Sequence, residues 1–141
     1  MDVLRTIYRY WVAILFVAVL VQIGAAGYGA FYVASRLNEK GDKPLGHTSF
    51  EHGWDFHSGF GYIIFLGAVI LFVLALAGRL GRQRVLWALA TVGLMVVQII
   101  LAWGGSDHPV IGIFHPVNAL LVLGLIGFQA HGAWRKVRAI G

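Results

Sequence analysis

Two histidines stand at the start of long apolar runs in this sequence. His57 follows Phe56 and His115 follows Phe114, and no Asp, Glu, Lys or Arg occurs in the run after either pair. An ionisable side chain inside a membrane-spanning run is costly and marks a functional site by default. Because two facing imidazoles fill both axial positions of a haem iron, the pair predicts a haem b site with His57 and His115 as the iron ligands.

Small and aromatic residues surround both histidines at helical spacing. Residues three or four apart share a helix face, and small side chains on that face leave room for a flat macrocycle. The residues predicted to lie against the haem are Gly53, Gly61, Gly112 and Ala119. The aromatic residues predicted at its edge are Trp54, Trp103 and Phe114. For the two tryptophans, a place in the interfacial aromatic belt is the alternative.

A structural role is the alternative for the histidines themselves. Gln22, Gln98 and Asn118 are amides inside apolar runs, and such side chains form hydrogen bonds between membrane helices. Gln22 or Gln98 is therefore a candidate partner for each imidazole. Ligation of iron and interhelical hydrogen bonding both remain open from the sequence.

A second group of polar residues lies outside the apolar runs. It comprises His47, Glu51, His52, Asp55, Asp107 and His108. These side chains suit Zn or Cu, but their spacing matches no known metal motif. A divalent-metal site and solvated loop residues are the two interpretations.

The composition specifies a membrane protein. Hydrophobic residues make up 59% of the 141 residues and charged residues 12%, against about 25% charged in soluble domains. Cysteine is absent, which excludes disulfides and thiolate ligands. The net charge of +5 comes from short basic clusters between apolar runs, so the expected partner is the lipid bilayer and not nucleic acid.

Four apolar runs are long enough to span a membrane. A helix needs roughly 20 residues to cross the hydrocarbon core. The predicted spans are about 10–34, 50–78, 85–104 and 110–132, with an outer loop at 37–49, in one domain covering 1–141. The predicted fold is an all-α, integral membrane four-helix bundle.

Basic residues predict the orientation of these spans. Eight of the eleven fall on one side: Arg5, Arg9, Arg79, Arg82, Arg84, Arg135, Lys136 and Arg138. Three fall on the other: Arg36, Lys40 and Lys43. Both termini are therefore predicted to be cytoplasmic.

An internal repeat relates the two halves of the chain. Val21-Gln22-Ile23 recurs as Val97-Gln98-Ile99, and Phe56-His57 recurs as Phe114-His115. Two repeated helical hairpins imply a pseudo-two-fold axis along the membrane normal, which places the two histidines at one depth near the outer surface. Pro116 kinks the last helix if that helix starts at Pro109, and lies in its first turn if it starts near Phe114.

The chain also resembles known membrane proteins. Phe56-His57 with Gly61-Tyr62, and the stretch from Phe114 to Leu120, resemble an uncharacterised family of bacterial four-span proteins. More distantly, the architecture is similar to one four-helix half of haem A synthase, in which histidines of the second and fourth helices bind haem. The chain departs from that enzyme in having Trp54 at a glutamate position, no loop cysteines and a single bundle. The resemblance implies haem binding more than haem A synthesis.

These observations predict a membrane b-type cytochrome-like protein that serves electron transfer or haem handling. The predicted location is the bacterial inner (plasma) membrane, with a quinone or a redox protein as partner. No catalytic residue is predicted; an enzyme activity, if there is one, would be that of a haem- or quinone-linked oxidoreductase. The alternative function is a non-haem divalent-metal-binding or structural membrane protein that uses the outer His/Asp/Glu group.

Overall fold

The chain folds as a bundle of four long helices. The computed structural model describes residues 2–40 and 46–138. The helices are α1 (Asp2–Lys40), α2 (His47–Ala77), α3 (Arg82–Asp107), α4 (Pro109–Gly112) and α5 (Phe114–Arg138). The single turn α4 leads into α5, and no strand occurs in either described range. The all-α four-helix prediction is confirmed.

The helices form two antiparallel hairpins that pack side by side. α1 contacts α2 and α5, and α3 contacts α2 and α5, whereas α2 and α5 make no close backbone contact within the described residues. α2 and α5 are thus diagonal partners across the bundle centre. We call the end where α1 ends and α2 begins the loop end, and the opposite end the terminal end.

The outer surface of the bundle is apolar. Four helical segments are long and apolar enough to cross a membrane: Val3–Glu39, His47–Ala77, Arg82–Asp107 and Pro109–Arg135. Ile63 is 63% exposed and Leu121 is 57% exposed. Side chains of this kind cover the bundle on all sides, which is unfavourable in water and favourable in lipid. The chain is therefore a multi-pass membrane protein.

The terminal half of the bundle is closely packed. Val12, Leu71, Ala88 and Ile126, one from each long helix, are fully buried there. A buried polar network joins three helices at the same end. Its hydrogen bonds run from Tyr8 Oη to Gln129 Oε1 (3.3 Å) and from Gln129 Nε2 to Thr91 Oγ1 (2.8 Å). Close packing and this network fix the helices there, so any space for a ligand must lie towards the loop end.

The helix bounds differ from the predicted ones at the loop end. α1 continues to Lys40 and α2 starts at His47, so both helices enter the predicted loop 37–49, and residues 41–45 lie outside the described residues. The predicted spans 10–34 and 85–104 fall within α1 and α3. The predicted spans 50–78 and 110–132 overlap α2, which ends at Ala77, and α4 with α5.

Hairpin 1 (α1 and α2) projects beyond hairpin 2 (α3 to α5) at the loop end. α1 continues 18 residues past Gln22 (40 − 22), whereas α3 continues nine past the equivalent Gln98 (107 − 98). At about 1.5 Å per residue, the overhang is about 14 Å. The overhanging part of α1 carries charged residues, among them Arg36 and Glu39.

Pro116 lies in the first turn of α5. A turn at Ile113 separates α4 from α5, and α5 starts at Phe114. Proline is tolerated in a first turn because its missing N–H would have no partner within the helix there. Of the two positions that the sequence left open for this proline, the structure has the one in the first turn of a helix that starts at Phe114.

Candidate functional site

The two predicted ligands face each other across the bundle. His57 on α2 and His115 on α5 have ring centroids 6.1 Å apart, with the ring planes at 65°. Because α2 and α5 are diagonal helices, only side chains that point to the bundle axis can approach so closely. The repeat thus brings the equivalent histidines together at one depth near the loop end.

Each histidine is held by the glutamine of its own hairpin. His57 Nδ1 lies 3.2 Å from the backbone oxygen of Gln22, and His115 Nδ1 lies 3.1 Å from the backbone oxygen of Gln98. These matched contacts occur at the positions that the sequence repeat relates. They confirm the two repeated hairpins, and they form the interhelical hydrogen bonds that were the alternative role for both histidines.

The backbone contacts define which nitrogen of each ring donates a hydrogen bond. A carbonyl oxygen only accepts a hydrogen bond, so Nδ1 of each neutral ring carries the proton and donates it. Nε2 of each ring then presents a lone pair. Imidazoles that bind metals are held in this way by a hydrogen bond from the other ring nitrogen. The backbone contacts thus satisfy Nδ1 of each ring, while Nε2 of His115 also lies 3.1 Å from Nε2 of the Gln98 side chain.

A cavity of ≈ 790 Å³ opens beside the two rings. Ligand and cofactor sites in proteins typically have volumes of about 300–1,000 Å³ and mainly apolar walls, and this cavity has both properties. Val19, Ile64 and Val122 close it towards the packed terminal half. Hairpin 1 contributes Gln22, Trp54, His57 and Gly61 to the rest of the lining, and hairpin 2 contributes Met95, Gln98, Trp103, Gly112, His115 and Ala119.

The structure brings most of the predicted site residues to this cavity. Both histidines line it, and so do five of the predicted flanking residues: Trp54, Gly61, Trp103, Gly112 and Ala119. Two predicted residues lie elsewhere. Gly53 packs against α1, where an added Cβ would lie 3.0 Å from Tyr32 and 3.4 Å from the Gly29 oxygen. Phe114 is 57% exposed on the outside of the bundle and is not part of the lining.

A close approach between glycines occurs in each hairpin, and the sequence interpretation missed it. A Cβ on Gly29 would lie 2.7 Å from the backbone oxygen of Gly53. A Cβ on Gly105 would lie 2.7 Å from the Cα of Gly112. Small residues at such points let membrane helices pack backbone to backbone. Gly29 and Gly105 share the 76-residue offset of Gln22 and Gln98 (105 − 29 = 98 − 22), and that offset is the signal that could have found them.

Two buried polar atoms beside the cavity have no partner among the described residues. They are Gln22 Oε1 and Trp54 Nε1. The Gln22 amide is oriented by its other end, since Nε2 donates to the backbone oxygen of His57 at 2.6 Å. Unpaired buried polar atoms are costly, so these two, an acceptor and a donor, mark the hairpin 1 wall as suited to a ligand with polar substituents.

The outer His/Asp/Glu group does not assemble. His47 Nδ1 pairs with Glu51 at 3.1 Å, one turn apart on α2. No group of three His, Asp or Glu side chains with the proximity of a metal site occurs in the ranges 2–40 and 46–138. The predicted alternative, a divalent-metal site built from this group, therefore has no geometric support in the described residues.

The fold and the site together define a multi-pass membrane bundle with two histidines that face each other across its centre. A family model described as "Family of unknown function (DUF6220)" matches residues 45–105, which is less than half of the chain. The matched segment contains His57 and Gln98 and ends before His115. No curated protein and no solved structure matches the chain.

Proposed function

We propose that the protein is a small membrane cytochrome that binds one haem b between α2 and α5, with His57 and His115 as the axial ligands. The observation that carries this proposal is the distance of 6.1 Å between the ring centroids. Two imidazoles this close, on diagonal helices, would be able to hold one iron from both sides of a haem, each through the ring nitrogen that does not contact a backbone oxygen.

The chemistry of the donor set supports the proposal. Both candidate ligands are imidazoles whose Nδ1 is bound to a backbone oxygen, and the lining described above contains no carboxylate or thiolate. Neutral nitrogen donors in an apolar cavity suit haem iron. The residues present therefore fit the group. The resemblance to one half of haem A synthase points to the same ligand.

Haem with two histidine ligands supplies reversible one-electron chemistry and has no open position for oxygen. The residues of the chain hold the two imidazoles, exclude water through the packed terminal half and provide an apolar wall. Because both iron positions would be filled by histidines, the site favours electron transfer or haem handling over catalysis on a bound substrate. A quinone or a redox protein in the bacterial inner membrane is the proposed partner.

The test is to replace each histidine separately and to record absorption spectra of the purified proteins, expressed with ample haem. The native protein should show a low-spin spectrum with sharp visible bands on reduction. His57→Ala and His115→Ala should each give five-coordinate or lost haem. His52→Ala and His108→Ala are the matched controls, because these histidines lie outside the cavity lining, and both should keep the native spectrum. A native spectrum in either cavity variant would contradict the assignment.

A further inference from the structure

The two histidines are not equivalent at Nε2. His115 Nε2 lies 3.1 Å from Nε2 of the Gln98 side chain. His57 Nε2 has no hydrogen-bond partner within the described ranges, and the equivalent Gln22 side chain donates to the His57 backbone oxygen. The repeat therefore places a glutamine beside each histidine but directs only one of the two amides at a ring.

The direction of the Gln98 bond follows from its neighbours. Nδ1 of His115 donates to the Gln98 backbone oxygen, so Nε2 accepts, and the Gln98 amide must present its N–H. Asn118 fixes this orientation, because its Nδ2 donates to Gln98 Oε1 at 2.6 Å and to the Leu94 backbone oxygen at 2.9 Å. Asn118 is itself buried, so the amide is held by two anchored contacts.

Hairpin 1 lacks this anchor. With the 58-residue offset that relates His57 to His115, Asn118 corresponds to Phe60 (118 − 58). Phe60 stacks on Phe56 with ring centroids 5.2 Å apart, and it offers no donor to Gln22. The replacement explains why Gln22 Oε1 is unpaired while the Gln98 oxygen is satisfied.

We propose that Gln98, held by Asn118, is a positioning residue that competes with iron for His115 Nε2, so that His57 is the permanent ligand and His115 the exchangeable one. This inference rests on the proposed haem site. Ligation by His115 would require its Nε2 lone pair to give up the Gln98 N–H in favour of the iron, without transfer of a proton or an electron. A bond that must be broken first weakens ligation by His115 relative to His57.

The proposal predicts the direction in which a substitution at Gln98 changes the rate of haem release. Gln98→Leu removes the competing N–H and keeps the backbone oxygen that orients His115. The variant should therefore release haem to an external acceptor several-fold more slowly than the native protein, and its reduced form should bind less carbon monoxide. Asn118→Leu should shift both measurements in the same direction by a smaller factor. A merely structural role for Gln98 predicts the reverse, because a loosened site loses haem faster.

The matched control is Gln22→Leu. Gln22 contacts the His57 backbone and not its Nε2, so this variant should not slow haem release or reduce carbon monoxide binding. A second measurement uses the haem-free protein. The ¹⁵N resonance of His115 Nε2 should shift in Gln98→Leu while that of His57 Nε2 stays in place.

The outcomes separate the two proposals. Faster or unchanged haem release in Gln98→Leu, or an unshifted His115 resonance, would overturn the role of Gln98 and leave the haem site standing. A native protein that takes up no haem would overturn both.

Discussion

Gln22 and His57 hold each other through reciprocal hydrogen bonds between α1 and α2. The Gln22 side chain donates to the His57 backbone oxygen at 2.6 Å, and His57 Nδ1 contacts the Gln22 backbone oxygen at 3.2 Å. In hairpin 2, His115 Nδ1 contacts the Gln98 backbone oxygen in the same way. The Gln98 side chain differs from that of Gln22, because it contacts Nε2 of the His115 ring instead of a backbone oxygen. The two repeated hairpins thus hold their histidines by the same backbone contact but surround the two rings differently.

Loss of the Gln22 side chain should destabilise hairpin 1. Gln22→Leu removes the 2.6 Å bond between α1 and α2. Side-chain hydrogen bonds between membrane helices are worth about 0.6 kcal/mol on average and at most about 1.7 kcal/mol. The expected loss of unfolding free energy is of that size, measured by denaturant titration in detergent. Val21→Leu is the control, because Val21 is 46% exposed; equal losses in the two variants would contradict this account.

The glycine contact between α1 and α2 should not tolerate a methyl group. Gly29→Ala would place a Cβ 2.7 Å from the Gly53 oxygen and 3.0 Å from Trp54, so the helices must separate and Trp54 must move. Gly27→Ala is the matched control on the same helix, because nothing lies within 4 Å of the added Cβ. We expect a lower melting temperature for Gly29→Ala only. Similar melting temperatures would show that α1 and α2 are not in backbone contact.

Filling the cavity should exclude the ligand and spare the fold. Gly61 lines the cavity, and an added Cβ would lie 3.1 Å from Gln22 Nε2. Gly61→Leu should therefore abolish haem retention while the protein remains inserted and helical by circular dichroism. Gly59→Leu, two residues away with open space around its Cβ, should retain haem. Full haem occupancy in Gly61→Leu would mean that the ring does not lie in this cavity.

The orientation of the bundle is predicted by its basic residues. Eight Lys and Arg flank the terminal end and three flank the loop end, so both termini should be cytoplasmic. A reporter that is active only outside the cytoplasm, fused after Gly141, should be silent, and the same reporter inserted between α1 and α2 should be active. The opposite pattern would place the histidines near the cytoplasmic surface.

The sequence predicted the elements that depend on hydropathy and on the repeat. Four spans follow from runs of apolar residues, and the pairing of His57 with His115 follows from equivalent positions in two hairpins. The repeat also related Gln22 to Gln98. These features depend on local composition or on the repeat, so they can be predicted from the sequence without knowing which helices pack together.

Residues whose role depends on the neighbouring helix could not be assigned in this way. Gly53 and Gly61 are both four residues from His57, but four residues turn a helix by about 400°, so the two lie about 80° apart around α2. Gly61 therefore faces the cavity while Gly53 packs against Gly29. The unequal roles of Gln22 and Gln98 likewise depend on Asn118, a contact from another helix.

The most direct test of the haem assignment is the absorption spectrum of the native protein beside that of the His57→Ala/His115→Ala double variant, oxidised and then reduced. Both proteins are expressed with ample haem and purified in the same detergent. We expect a low-spin b-type spectrum with sharp bands on reduction for the native protein, and no bound haem in the double variant. A native protein that purifies colourless, or a double variant with the native spectrum, would contradict the account.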